Sequence, residues 1–440
     1  MKKALINYEK FNCIYNNLMQ KDVFKKILSE WQDSKPQELI TRDSNVNISK
    51  EIIGAIIGPR RVGKTSLMLI EAQKQKKEET IFIDFKDNRL VNIKTEELDE
   101  LFIAHEELTG KKAKYLFFDE IQAAPEWSKF IRRLHNQKKY CIVVTGSSSK
   151  LLSKEIATEL RGRYISTLLL PLSFKEFLKF KKFEYKKTTE FTSTKGQLIK
   201  LLNEYIEYGG FPATVLKSQT EKKELIKSYF ETTFYKDIIE RHKIENTDLI
   251  KQLTNYLIEN NAELFSINNF HKILKNKGLF TSKKTISQYL KYIVDTFFVL
   301  TTEKFSYSSK TRTQNPKKAY LTDNAYQTFL SANFSPNTGK KLESIIMNEL
   351  VKTSDKIYYF KEKNECDFIT KTGPKIETIQ VSLNINEKNK KRETRGLLEA
   401  MNYFKLKSGI IITLEQEETI KEKNKTIQII PTWKWLLEQR

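Results

Sequence analysis

Cysteine and histidine are scarce in this chain, with three of the first (Cys13, Cys141, Cys366) and four of the second among 440 residues. The cysteines lie far apart, in neither a disulfide framework nor a C-x-x-C spacing, and four scattered histidines do not make a zinc site. No apolar run approaches the ~18 residues needed to cross a bilayer. Met1-Lys2-Lys3 is followed only by Ala4-Leu5-Ile6 before Asn7, too short a stretch for a secretory signal. A disulfide-stapled secreted domain, a zinc module and a membrane-spanning protein are therefore not expected. The expected setting is reducing and cytoplasmic, without a membrane partner.

What the chain has in excess is positive charge: 77 Lys and Arg against 55 Asp and Glu, a net +22. An anionic partner suits that balance, double-stranded DNA or RNA first. The alternative is a solvated, Lys-rich surface from biased composition, because Lys outnumbers Arg roughly fivefold and Asn and Ile are abundant. A chain of 440 residues has room for two to four domains with sizeable cores.

The apolar run Ile52-Ile53-Gly54-Ala55-Ile56-Ile57 leads into Gly58-Pro59-Arg60-Arg61-Val62-Gly63-Lys64-Thr65, and Ser66-Leu67-Met68-Leu69-Ile70 then starts a helix. This is G-x-x-x-x-G-K-[ST] in its proper setting, a Walker-A P-loop between strand and helix. The backbone of residues 58–66 wraps phosphates through its N–H groups, which all but Pro59 possess, Lys64 reaches the β/γ-phosphates, and the Thr65 hydroxyl holds Mg²⁺. The expected ligands are a nucleoside triphosphate, ATP, and Mg²⁺.

About 50 residues on, Tyr115-Leu116-Phe117-Phe118 is an apolar strand ending in Asp119-Glu120. An Asp here organises Mg²⁺, and an ionised Glu beside the γ-phosphate polarises the attacking water. Further apolar runs fall at Thr80–Phe85, Cys141–Thr145 and Tyr164–Leu170. Helical intervals such as Trp127–Gln137 separate them, which predicts a parallel sheet covered on both faces, with nucleotide at the strands' carboxyl ends.

Two further features carry alternatives. Thr145-Gly146-Ser147-Ser148-Ser149 ends the fourth strand. Thr145 or Ser147 could sense the γ-phosphate, or the stretch could be a Ser-rich turn capping the next helix. Arg161 and Arg163 in Leu160-Arg161-Gly162-Arg163 could act as a finger on a neighbouring subunit in a homo-oligomer, or could be ion-paired surface residues.

The ordered set GPRRVGKT (58–65), LFFDEIQ (116–122) with Trp127, TGSS (145–148), LRGR (160–163), PLSFKEF (171–177), GGFP (209–212) and KDII (236–239) resembles archaeal and bacterial AAA+-type ATPases across almost the whole chain. That family carries a winged helix and a C-terminal restriction-endonuclease-like domain. The resemblance implies Glu120 as catalytic base and Arg161 or Arg163 as finger. It supplies no substrate.

The architecture expected is therefore α/β. Residues 1–50, a helix and a strand, pack on a P-loop ATPase core of the AAA+/ASCE type at 51–172, followed by a helical lid at 173–245. The amphipathic spacing of Leu198–Tyr208 and Glu221–Arg241 supports that lid.

Residues 246–320 read as a winged helix: Asp248–Asn260, a helix N-capped by Ser266, and a third starting at Thr281 with Ile286, Leu290 and Ile293 buried. That leaves Lys283, Lys284, Ser287, Gln288 and Lys291 outside to enter a major groove. A basic loop with Lys310, Arg312, Lys317 and Lys318 meets phosphate. A spacer or protein-binding role is the alternative.

Residues 321–440 suggest a restriction-endonuclease-like domain with its chemistry lost. Glu343 lies on a helix, Asp367 takes the place of the first-strand acid, and the acid-x-Lys of the second strand is replaced by Gln380-Val381-Ser382. Gln is a weak neutral metal ligand and Ser has no ammonium, so nuclease activity is not expected. Trp433-Lys434-Trp435 reads as a docked terminal helix. The leading function is Mg²⁺-dependent ATP hydrolysis coupled to DNA binding or remodelling. The alternatives are a slow nucleotide switch acting on a protein partner and, third, an ATP-dependent nuclease.

Overall fold

Five short apolar runs before residue 170 pair as one parallel sheet. They are β1 (Ile53–Ile57), β2 (Thr80–Asp84), β3 (Tyr115–Asp119), β4 (Cys141–Gly146) and β5 (Tyr164–Leu168), in the order β2-β3-β4-β1-β5. Every neighbouring pair is parallel, so all five carboxyl ends share one edge. In this computed structural model, residues 20–146, 162–332, 336–422 and 424–438 are described, and the chain divides into two units between Leu169 and Leu170.

β1 is buried along its whole length, with β4 and β5 on either side. The helix Lys64–Gln73 packs on β1, β3 and β4 through Leu67, Met68 and Ala72. β5 departs from the expected burial on both faces: Ile165 and Ser166 are exposed, because only β1 pairs with it. It stops at Leu168, although the Leu169 N–H still donates to the Ile57 carbonyl at 2.7 Å.

A helix over residues 20–33 buries Phe24, Ile27, Leu28 and Trp31, one face at three- and four-residue spacing. Trp31 stacks on Phe82 of β2 with ring centroids 5.1 Å apart. The strand expected before residue 50 does not occur among described residues 20–50. Irregular chain runs there instead, and its Asn45 carbonyl accepts from the Thr167 hydroxyl rather than joining a ladder.

The second unit begins with helices Phe174–Phe180, Lys195–Tyr208 and Gln219–Thr232, the last continuing as a π-helix over Thr233–Glu240. Phe174, Phe177, Leu198, Leu202 and Tyr205 share one core with Leu342, Ile345 and Trp433. The segment expected as a lid is thus packed against the C-terminal part of the chain. The terminal helix Thr432–Glu438 is docked there with Trp433 buried.

Helices Thr247–Glu259, Ile267–Asn276 and Lys283–Asp295 follow, their first turns capped by the side chains of Asn246, Ser266 and Ser282. The strands of this unit are β6 (Glu263–Phe265), β7 (Val299–Lys304), β8 (Lys317–Leu321), β9 (Lys356–Lys361), β10 (Glu365–Thr372), β11 (Lys375–Val381), β12 (Ser408–Thr413), β13 (Glu418–Glu422) and β14 (Lys425–Pro431). They form one sheet in the order β13-β14-β12-β11-β10-β9-β7-β8-β6. β7 joins its two halves: residues 299–302 pair with β8, and Glu303 and Lys304 pair with β9. Among the described residues, no helix is long and apolar enough to cross a membrane.

Candidate nucleotide site

The P-loop turns at the carboxyl end of β1 through backbone that only glycine adopts easily. Gly58 has φ +145°, and a Cβ there would lie 1.9 Å from the Leu169 carbonyl oxygen. Gly63, at φ +91°, precedes the helix Lys64–Gln73 and leaves its first N–H groups without a side-chain cap. That is a cradle shaped for an anion.

The Lys64 ammonium is buried and donates to the Gly58 and Pro59 carbonyls at 3.1 and 2.7 Å. Burial pulls its pKa down to about 8, against the opposing pull of Glu120 and Asp119. Thr65 Oγ1 donates to Asp119 Oδ2 at 2.6 Å, and Thr145 Oγ1 donates to Asp119 Oδ1. The Glu120 N–H donates back to Thr145 Oγ1 at 3.0 Å. Lys64, Thr65, Asp119, Glu120 and Thr145 are therefore one hydrogen-bonded and electrostatic group, drawn from three segments of sequence. Arg60, Arg61, Val62 and Ser66 complete the loop and the first helical turn.

Glu120 sits at φ +47°, just past β3, with Lys86 Nζ 2.6 Å from its Oε2 and the Gln122 amide donating to the same oxygen. Burial pushes its carboxyl up, but Lys86, Lys64 and Gln122 outweigh burial and the net direction is down. These partners favour the ionised form of Glu120.

Three neighbours of this group were missed in the sequence. Asp84 is the register partner of Asp119 at the end of β2, and its carboxyl is pushed up by burial and by the acids beside it. Lys86 follows two residues later. Arg42, from the irregular segment before β1, donates to the Val62 carbonyl at 2.6 Å. The ending Ile83-Asp84-Phe85-Lys86 was a signal for the first two, since parallel neighbours end together. Nothing local marked Arg42.

Arg163 is not brought to this group. It precedes β5, its carbonyl accepts from Ile53 N–H at the amino end of β1, and its guanidinium donates to Asn136 Oδ1 at 2.6 Å. It therefore stands at the sheet edge opposite the P-loop of its own chain. Ser147 and Arg161 lie outside the described residues.

In the second unit, Ile286, Leu290 and Ile293 are buried while Lys283, Lys284, Gln288 and Lys291 are exposed, the two faces expected of that helix. All four line a groove of about 740 Å³ with Gln314 and Lys317. The loop expected after β7 contains a short helix, Ser309–Gln314, with Lys310 exposed. Arg312 is tied to the Ser306 carbonyl at 2.6 Å and to Glu303. Lys318 departs from the expectation of a basic loop residue: it is 1% exposed, because β8 turns it inward.

That inward turn brings Lys318 to the acids singled out near the C-terminus. Its Nζ lies 2.6 Å from Glu343, 2.8 Å from Asp367 and 3.0 Å from Glu365. Gln380 accepts from the Asp367 N–H and donates to Glu393, while the Ser382 hydroxyl donates to the Asn384 carbonyl. Glu343, Asp367, Gln380 and Ser382 line one cleft of about 740 Å³. Among the described residues, no set of three His, Cys, Asp or Glu side chains is itself spaced to hold a metal ion.

The strand order and P-loop of the first unit define an AAA-type P-loop ATPase domain, and residues 50–178 match the family described as AAA domain. The chain belongs to the family of the uncharacterized protein MJ1544 of Methanocaldococcus jannaschii, with 42% identity covering 93% of this chain and 94% of that one. An uncharacterized protein of Haemophilus influenzae is similar at 28% identity, covering 88% and 95%. Residues 199–336 and 338–435 match two domains of unknown function, DUF8612 and DUF4143.

Among solved structures, the Aeropyrum pernix ORC1 protein in complex with DNA is similar at 12% identity and a TM-score of 0.31, covering 70% of this chain and 90% of that one. AMPPCP-bound DnaA from Aquifex aeolicus is similar at 14% identity and 0.27, covering 62% and 86%.

Proposed function

We propose that this protein hydrolyses ATP with Mg²⁺ and couples its nucleotide state to DNA binding. The observation that carries the reading is the single group formed by Lys64, Thr65, Asp119, Glu120 and Thr145 at the carboxyl edge of a parallel sheet. Thr65 and Asp119 present a hydroxyl and a carboxylate to one position, a hard oxygen donor set that fits Mg²⁺. The metal would supply neutralisation of charge on the phosphate oxygens.

The protein's own groups then have distinct tasks. Loop N–H groups and Lys64 bind phosphate, and Lys64 exchanges its two carbonyl partners for phosphate oxygen. Glu120 orients water and accepts its proton at the carboxylate once Lys86 releases it. Thr145 links Asp119 to the Glu120 backbone and so reports on the γ-phosphate. Arg161 or Arg163 serves a neighbouring subunit, a role that for Arg163 accords with its place away from its own P-loop.

In this reading the domains are those expected: 51–172 ATPase core, 173–245 helical segment, 246–320 winged helix and 321–440 nuclease-like domain without nuclease activity. Lys283, Lys284, Gln288, Lys291, Lys310 and Arg312 form the DNA face, of which Arg312 is already occupied on its own wing.

The test is steady-state ATPase activity with Mg²⁺, with and without duplex DNA, at two salt concentrations. Wild type runs beside Lys64→Ala and Glu120→Gln. DNA stimulation that weakens with salt and needs both residues supports the reading. Tight ATP binding with negligible turnover in every condition supports instead a nucleotide switch, which the Lys86–Glu120 pair also favours.

A further inference from the structure

The acids expected of a nuclease-like centre surround an ammonium. Lys318 is delivered by β8, a strand outside the β10–β11 hairpin that carries Asp367 and Gln380. Its Nζ contacts Glu343, Asp367 and Glu365 at 2.6–3.0 Å, the distances of charge-assisted hydrogen bonds. A divalent metal would draw such oxygens to about 2.0–2.6 Å.

The surrounding bonds hold this arrangement. Asp367 Oδ2 accepts from the Val381 N–H at 3.0 Å, which leaves Oδ1 for Lys318. Glu343 Oε1 also accepts from the Tyr320 hydroxyl, at 3.0 Å, and Glu343 Oε2 is 3.5 Å from Lys340. Lys361 meets the other oxygen of Glu365 at 3.0 Å. Gln380 spends both ends of its amide within the protein, on the Asp367 N–H and on Glu393. Glu343 and Asp367 are 4% and 6% exposed, and two buried carboxylate groups facing one position repel each other unless a cation lies between them. Both still line the open cleft, so an ion in solution has a path to them.

We propose that Lys318 is the resident cation of this site: its ammonium takes the position of a divalent metal and masks a Mg²⁺- or Mn²⁺-binding site made by Glu343 and Asp367. A lysine is covalently fixed, cannot be chelated, and holds the acids together at any metal concentration. It also ties together three separate elements, β8, β10 and the helix Thr338–Thr353. The proposal stands apart from the ATPase reading, and its test uses no nucleotide.

The full chain is titrated with Mn²⁺ and bound metal is read by electron paramagnetic resonance, alongside thermal unfolding with Mn²⁺ or EDTA. Wild type should bind no Mn²⁺ equivalent that Asp367→Asn removes, and EDTA should not move its melting temperature. Lys318→Ala should bind one added equivalent at micromolar Mn²⁺, melt higher with Mn²⁺ than with EDTA, and lose both properties when combined with Asp367→Asn. A folded Lys318→Ala that binds no added Mn²⁺ would overturn the masked site. A wild-type equivalent lost in Asp367→Asn would overturn the lysine as resident cation. If Lys318→Ala does not fold, the wild-type titration still decides the lysine's role, and Lys318→Met replaces it in the unmasking experiment.

Discussion

The Lys86 ammonium lies 2.6 Å from the Glu120 carboxylate, pairing the proposed catalytic base with a cation from the neighbouring strand end. Lys86 keeps Glu120 ionised and also holds the oxygen that must face water. Lys86→Ala should raise basal ATP turnover about threefold and move the acid limb of the pH–rate profile to higher pH, because Lys64 and Gln122 alone would offset less of the effect of burial. Glu120→Gln should lower turnover by about 10²–10⁴-fold with ATP binding retained. Pre-steady-state phosphate release across pH 5–8 checks both. An unmoved acid limb in Lys86→Ala would sink the pairing argument.

Lys64 gives nucleotide binding a pH dependence. Its free-protein pKa of about 8 must rise when phosphate charge arrives, so binding above pH 8 takes up a proton and weakens as pH rises. Calorimetry at pH 8.5 in two buffers of different ionisation enthalpy should show that uptake, and Lys64→Met should abolish it.

Gly209 and Gly278 both have positive φ, +70° and +77°, yet their neighbours differ. A Cβ on Gly278 meets nothing within 4 Å, while one on Gly209 would lie 1.7 Å from Asp323 Oδ1. Gly278→Ala should cost about 1–2 kcal/mol, backbone strain alone. Gly209→Ala should cost more than about 4 kcal/mol by also displacing a buried carboxylate. Urea unfolding of the two variants measures the difference, and equal costs would refute it.

Asp323 accepts from Gly210 and Ala325 N–H groups, but burial outweighs those bonds and pushes its pKa up to about 7. The folded chain then keeps a proton that the unfolded chain, with a pKa of about 3.9, has lost. Its contribution to stability therefore falls as pH rises from about 4 to 7 and is level above that. Asp323→Asn should flatten the stability profile in this window, as denaturant midpoints at pH 5, 6, 7 and 8 would show.

If the face that carries Lys283, Lys284 and Lys291 meets DNA phosphates, replacing all three with Ala should reduce the slope of log K against log salt by about 2.7, or about 0.9 for each contact. Arg312→Ala should change it less, because Ser306 and Glu303 already hold that side chain. An unchanged slope in the triple variant would move the DNA face elsewhere.

Local pattern carried much of this molecule. The parallel strands were legible because each is a short apolar run, and the P-loop because Gly58 and Gly63 stand where chain reversal and close approach require them. The buried stripe Ile286, Leu290 and Ile293 followed from helical period alone. The exposure of β5 at the sheet edge was not legible, since edge position depends on strand order, which no single run encodes.

What tertiary structure alone decided is which distant charges meet. The sequence by itself determined the P-loop and the strand that ends in Asp119 and Glu120, because these are properties of adjacent residues. It could not place Lys86 on Glu120 or Arg42 on the P-loop, nor show that Lys318 leaves the basic loop for the interior. A lysine's charge reads the same in sequence whether it is solvated or surrounded by carboxylates. Only the packing of β8 against the helix Thr338–Thr353, with Lys318 reaching across to β10, made it the partner of Glu343 and Asp367.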